Sequence, residues 1–128
     1  MRKFVTFETE PSTFNAAEEQ LAARPVFERI VAALLASGVQ ITSPIAEWDA
    51  YGWYVEVTDG EVQLTCMIQR SDEWLLLLSS KRGLMDRLLG HNHETELSTF
   101  AATVVKAVEG EFNIRVRLFQ DEQAFRAG

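Results

Sequence analysis

The sequence predicts a single α+β domain, a two-layer sandwich in which helices pack on one face of an antiparallel sheet of about four to six strands. Three observations lead to this fold class. Several segments alternate apolar and polar residues at period two, as strands with one buried face do. Two longer segments carry their apolar residues in a single stripe at helical spacing. The length of 128 residues, with 47% hydrophobic residues, suits one domain that builds its own core.

The first predicted elements are a strand and a long helical segment. Residues 3–9 are rich in β-branched and aromatic side chains and form the strand. Residues 14–37 consist mainly of strong helix formers, with Pro25 among them. Because proline is tolerated in the first turn of a helix but breaks its interior, we expect two helices that meet at Pro25 or one kinked helix. Gly38 stands where a left-handed helix cap is expected. The apolar stripe of this segment consists of Val26, Phe27, Ile30, Val31, Leu34 and Leu35.

The clearest local signal is a β-hairpin. Residues 53–58 and 61–69 both alternate, and Asp59-Gly60 between them is a preferred two-residue turn, since both turn positions take positive φ. With these two residues as the loop, Val57 pairs with Val62. The phase then directs Trp53, Val55, Leu64, Cys66 and Ile68 toward the core, and Tyr54, Thr65 and Met67 toward the outer face of the sheet.

A third strand follows the hairpin and differs from it in pattern. Residues 74–79 contain an unbroken apolar run from Trp74 to Leu78, which predicts burial on both faces or one apolar face kept for a partner. The other predicted elements are a short strand or extended link at residues 39–42, a loop at 43–49, a short helix at 84–89, a helix at 94–109 capped by Gly110, a strand at 111–119, and a tail or last helical turn at 121–128.

Charge and composition exclude several partners. The chain has 12 basic and 19 acidic residues, a net charge of −7, which argues against binding a nucleic-acid backbone. Residues 1–60 hold −5 of this charge and residues 61–128 hold −2. No apolar run approaches the roughly 20 residues of a membrane span. A single cysteine allows no internal disulfide, so we expect a bacterial-type cytoplasmic protein.

Two positions carry residue types that take part in chemistry elsewhere. The segment His91-Asn92-His93 brings two imidazoles together, but no cysteine pair or HExxH helix supports a metal site. We interpret it as a polar loop in which Asn92 or Thr95 caps the next helix. Cys66 shares the phase of the core residues around it and is interpreted as a small core hydrophobe. The sequence therefore predicts neither metal nor cofactor and favours a protein without catalytic activity.

The candidate binding residues come from two features. Residues 48–54 contain two of the three tryptophans and both tyrosines, residue types that anchor either cores or binding surfaces. The outer sheet face carries Tyr54 and Met67 and gains alternate residues of the third strand, whose register is open at this point. Such a face is an interface unless the N-terminal segment or the tail folds over it. The candidate binding set is Trp48, Tyr51, Tyr54, Met67, Leu75 and Leu77.

These features favour a non-catalytic protein that binds another protein, or a second copy of itself, through an apolar sheet face. The short acidic α+β pattern resembles bacterial toxin-immunity proteins and secretion chaperones, and this resemblance implies the same kind of function. No diagnostic motif of either family is matched, so it assigns no residues. The alternative is a small-molecule binder or minor enzyme whose pocket, between helix and sheet, is walled by Trp48, Tyr51 and Trp53.

Overall fold

The computed structural model describes residues 2–8, 16–48, 52–59, 62–70, 73–81 and 93–127. Its strands are β1 (Arg2–Phe7), β2 (Gln40–Ile41), β3 (Ala46–Trp48), β4 (Gly52–Asp59), β5 (Val62–Arg70), β6 (Trp74–Lys81) and β7 (Arg117–Phe119). Its helices are α1 (Ala16–Ala36), α2 (Glu94–Phe112) and α3 (Glu122–Ala127). The strands form one antiparallel sheet in the order β2-β4-β5-β6-β1-β7, with β3 also paired to β4. The predicted fold class is confirmed, with seven strands in the described part of the chain where four to six were expected.

The two long helices cover one face of the sheet and bury the core against it. Side chains of β4 and β5 alternate between the core and the outer face, as the sequence pattern predicts, whereas β1 and β6 have buried residues on both faces. The principal core residues are Val5, Phe7, Phe27, Ile30, Leu34, Val55, Val57, Leu64, Ile68, Leu76, Leu78, Leu97, Val104 and Val108. The short helix α3 differs, because its Phe125 stacks on Phe4 at the opposite, outer face of the sheet.

The hairpin register differs from the prediction by two residues. Val57 pairs with Leu64 rather than with Val62, and Asp59 pairs with Val62 and so belongs to β4. A shift of two keeps every side chain on its predicted face, so the apolar pattern is the same in both registers. The predicted turn residue Gly60 lies outside the described residues.

The register of the third strand is settled by its neighbours. Leu77 pairs with Met67 of β5, and Leu75 pairs with Gln69. Leu75 and Leu77 therefore face outward, whereas Leu76 and Leu78 are fully buried beneath the helices.

Helix α1 is continuous through Pro25, the single-helix form of the two arrangements expected. It ends at Ala36, and Gly38 takes the left-handed conformation expected of a helix cap, with φ +90°. The backbone N–H of Val39 donates to the carbonyl of Leu34 at 3.0 Å, which satisfies one of the last carbonyls of the helix. The predicted stripe is correct except at Leu35, which is 54% exposed.

Helix α2 runs past Gly110, where it was predicted to stop, and ends at Phe112. Asn113 takes the left-handed cap conformation instead, with φ 55°. Tertiary contacts explain the extension: the ring of Phe112 stacks on Phe7 at 5.8 Å, and the Arg29 guanidinium lies 4.2 Å from the centre of the Phe112 ring. The predicted strand at residues 111–119 is correspondingly reduced to β7.

The predicted loop at residues 43–49 contains β3, which pairs with the start of β4. Three residues are too few for alternation to be recognised in a sequence. The predicted helix at residues 84–89 lies outside the described residues. None of the helices that the structure describes is long and apolar enough to cross a membrane.

Candidate binding surface on the outer sheet face

The strand pairings place five of the six candidate residues on the outer face, in two adjacent rows that cross the sheet. Residues paired across antiparallel strands share a face, so each row follows from the register. The first row is Ala46, Tyr54, Met67, Leu77, Phe4 and Phe119. The second row is Trp48, Gly52, Gln69, Leu75, Thr6 and Arg117. The sixth candidate, Tyr51, lies outside the described residues.

Exposure along these rows is uneven and rises toward β3. Met67 is 8% exposed and Leu75 is 5% exposed, so both are buried within a single chain. Leu77 and Tyr54 are half-buried, and Trp48 is 41% exposed. The expectation of an open apolar face therefore does not hold at its centre. Trp48 is the most exposed of these residues, and the half-buried Tyr54 lies near it on the same face.

The end of the face at β1 and β7 is closed by α3. Phe125 stacks on Phe4 with ring centres 4.6 Å apart and meets Phe119 edge-on at 5.5 Å. The carboxylate of Asp121 accepts a hydrogen bond of 2.7 Å from the backbone N–H of Ala124, which caps the first turn of α3. The tail thus covers one end of the face, as the alternative interpretation of the sequence anticipated.

Gly52 separates Trp48 from the rest of its row. It contributes no side chain, and a Cβ at this position would overlap the carbonyl oxygen of Ile68 on β5. Only glycine therefore permits β4 to approach β5 this closely. As a result, Trp48 is the last large side chain of its row at the β3 edge.

The alternative pocket walled by Trp48 and Trp53 is contradicted by their positions. Trp53 pairs with Ile68 and faces the helices, and the guanidinium of the exposed Arg24 lies 4.7 Å from the centre of its ring. Trp48 pairs with Gly52 and faces outward. The two indoles therefore lie on opposite faces of the sheet and cannot wall one pocket between helix and sheet.

A cavity of about 420 Å³ lies elsewhere, where α1 ends beside β4 and α2. It is lined by Ser37, Gly38, Val39, Gln40, Val57, Thr58, Leu64, Thr99, Phe100 and Thr103. Among the described residues of the segment 48–54, neither tryptophan nor Tyr54 contributes to it. The sequence pattern showed no sign of this cavity, because its lining comes from several separate elements.

The two described residues that could take part in catalysis or metal binding, Cys66 and His93, are both buried. Cys66 is fully buried, and burial raises the pKa of its thiol to about 12, so it is protonated at neutral pH. His93 is buried and precedes α2 as its N-cap residue, without a side-chain capping hydrogen bond. Thr95 lies inside the helix and is not its cap, while Asn92 is outside the described residues. Within the described ranges, no three metal-ligating groups come together.

One buried polar residue was missed by the sequence interpretation. Lys3 is 1% exposed, although it shares the inward phase of Val5 on β1. Its ammonium donates to Glu94 Oε1 and to Gln120 Oε1, both at 2.7 Å. This hydrogen bond from Lys3 lowers the pKa of Glu94. The signal in the sequence was a lysine at an inward position, which needs a buried acceptor.

The accessible candidate surface is therefore the part of the outer face beside β3. We call it the Trp48 strip and define it as Ala46, Trp48 and Tyr54. No protein-family model and no curated protein matches the sequence. The function assigned to this strip accordingly depends on its own geometry and charge.

Proposed function

We propose that the protein has no catalytic role and binds another protein through the Trp48 strip. The observation that carries the proposal is the exposure of Trp48. The chain has three tryptophans, and Trp53 and Trp74 are buried whereas Trp48 is 41% exposed. Tryptophan is enriched among the residues that dominate binding energy, because a rigid indole buries a large area at little entropic cost.

The position of the strip favours an external partner. Tyr54, half-buried, lies in the neighbouring row of the same face and adds a second aromatic side chain beside Trp48. Trp48, the most exposed large residue of the face, lies at its β3 end, so we place the centre of the contact there. Contacts of this kind, with aromatic anchors beside an already packed sheet, resemble the centre of a small interface.

The net charge of the chain favours one class of partner protein. The chain carries −7 in total, of which −5 lies in residues 1–60, the half that contains the Trp48 strip. Two copies of the chain repel each other through this net charge, whereas a basic protein is attracted and its association accelerated. We therefore assign the strip to a partner protein with a basic surface rather than to a homodimer.

Site-specific photocrosslinking in the native host tests this assignment. A benzoylphenylalanine placed at Trp48 is compared with one at Leu35, the other exposed large hydrophobic residue among those described. Position 48 is expected to crosslink a basic protein that position 35 does not. With that protein purified, Trp48→Ala should weaken binding by about tenfold or more, corresponding to about 1.4 kcal/mol. Leu35→Ala should leave it unchanged, and added salt should slow association.

Three outcomes would contradict the proposal. The first is equal crosslinking from both positions, and the second is unchanged affinity of the Trp48→Ala variant for the purified partner. The third is sedimentation of the isolated protein as a dimer that Trp48→Glu dissociates, because the occupant of the strip would then be a second copy.

A further inference from the structure

The cavity of about 420 Å³ has an apolar floor and a polar rim. Val57, Leu64 and Phe100 are buried and form the floor. The rim consists of Ser37, Thr99 and Thr103, together with Gln40 and Thr58 at the edge of the sheet, two paired positions that share the outward phase of Tyr54. Its volume lies within the range of small-molecule sites, and the residues that line it carry no charge.

The hydroxyl groups of Ser37, Thr99 and Thr103 already donate hydrogen bonds to backbone carbonyls of the protein. Ser37 Oγ donates to the carbonyl of Ala33 at 2.9 Å, and Thr99 Oγ1 donates to the carbonyl of Thr95 at 3.0 Å. Thr103 Oγ1 donates to the carbonyl of Thr99 at 3.1 Å. A carbonyl oxygen can only accept, so each hydroxyl proton is already used. These three oxygens therefore offer lone pairs to a ligand group that donates hydrogen bonds.

The backbone adds negative potential at the same place. Helix α1 ends at Ala36, and the next residues, Ser37 and Gly38, line the cavity. The carbonyl end of a helix carries a partial negative charge that favours a cation. This charge is reduced here, because backbone N–H groups of residues 37–39 already donate to the carbonyls of residues 33–35. The net charge of −7 acts in the same direction. An anion is correspondingly disfavoured.

We propose that this cavity binds a small molecule with an apolar, ring-sized body and a cationic, hydrogen-bond-donating head, such as an arylalkylamine. The body would pack on Val57, Leu64 and Phe100, and the head would lie among the hydroxyl oxygens of the rim. The site is independent of the Trp48 strip. It lies at the Thr58 end of β4, whereas Trp48 pairs with Gly52 at the beginning of that strand.

Three probes with the same indole ring test the chemical class. Tryptamine, tryptophol and indole-3-acetate are titrated into the ¹⁵N-labelled protein, and backbone amide shifts are followed. Tryptamine should shift the amides of the cavity residues with a Kd in the millimolar range, given its size. Tryptophol should bind about two- to fivefold more weakly, since it lacks the charge. Indole-3-acetate should not bind there.

Matched threonine variants locate the binding site. Thr103→Val removes one rim oxygen and keeps the shape of the side chain, so it should weaken tryptamine binding. Thr95→Val makes the same change on the same helix but outside the lining, and should leave binding unchanged. Thr99→Phe, at an exposed rim position, should obstruct the mouth of the cavity without disturbing the core.

The proposal is overturned if tryptamine leaves the cavity amides unshifted, or if indole-3-acetate binds as tightly as tryptamine. It is also overturned if Thr95→Val and Thr103→Val weaken binding equally. Denaturation midpoints of the three variants establish that each is folded, so a loss of binding is not a loss of structure.

Discussion

Lys3 and Glu94 connect the first strand to the first turn of α2, with Nζ and Oε1 2.7 Å apart. The lysine is buried, while the glutamate side chain is half-exposed. A buried ammonium without acceptors is strongly disfavoured, so Glu94 and Gln120 together make the inward position of Lys3 tolerable. This contact makes stability depend on the protonation of one carboxylate.

The first prediction concerns acid. The pKa of Glu94 is lowered in the folded state, chiefly by its hydrogen bond from Lys3. Its stabilising effect is therefore present above the ordinary pKa of glutamate and is lost as the pH falls through the lowered value. Glu94→Gln should lower the denaturation midpoint at pH 7, and the difference from the unsubstituted protein should shrink in acid.

A double-mutant cycle provides the control for this pair. In a Lys3→Met background, replacing Glu94 with glutamine should have a much smaller effect, because the principal partner is gone and only the hydrogen bond from Ser98 Oγ remains. If the Glu94→Gln variant differed from the unsubstituted protein by the same amount at neutral and at acid pH, the Lys3 contact would not be the source of the difference.

The second prediction concerns Cys66. Because the thiol is fully buried and its pKa is raised to about 12, a disulfide reagent should modify it only as fast as the protein opens. A cysteine placed at the exposed position of Leu35, in a Cys66→Ala background, should react at once. Rapid modification of native Cys66, measured under the same conditions, would contradict the buried position.

The third prediction compares the effect on stability of alanine substitutions at two glycines. Gly52→Ala should destabilise by about 1–3 kcal/mol, because the added Cβ meets the carbonyl oxygen of Ile68 and the strands must separate. Gly110→Ala should stabilise by about 0.5–1 kcal/mol, since this helical glycine has open space around its Cβ. Urea denaturation of both variants measures the two effects, and equal signs would disprove the contrast.

The fourth prediction concerns the leucines of β6. Leu76→Ala should cost about 2–5 kcal/mol, as expected for a fully buried leucine. Leu75→Ala should cost nearly as much although it faces outward, because Leu75 is only 5% exposed within the chain. Leu77→Ala should cost less than either. A Leu75→Ala variant as stable as the unsubstituted protein would mean that the centre of the outer face is open in solution.

Sequence periodicity predicted the faces of the strands but not the pairing between them. Val55 and Leu64 were correctly directed inward, yet each pairs with a different residue than expected, because alternation is unchanged by a shift of two. The end of α2 was mispredicted for another reason. A helix stop at Gly110 is a local preference, and the packing of Phe112 on Phe7 outweighed it.

The sequence predicted which residues share the outer face of the sheet, but it did not predict how exposed each of them is. Period-two alternation was sufficient to group Tyr54 with Met67, and the placement of Leu75 and Leu77 beside them required the strand register. Whether those residues are covered depends on contacts between distant parts of the chain, such as Phe125 on Phe4. The cavity beside Thr103 could not be predicted from the sequence, because the residues that line it come from several segments that are far apart in the chain.

The place of β1 between β6 and β7 has a consequence during synthesis. This strand leaves the ribosome before either of its neighbours, which lie far along the chain. Until β1 inserts, the edge of β6 beside the Trp74–Leu78 run has no partner, and closing so long a loop is slow. An exposed apolar edge of this kind recruits strands from other molecules. The nascent chain is therefore most prone to aggregate in the interval between the completion of β6 and the docking of β1.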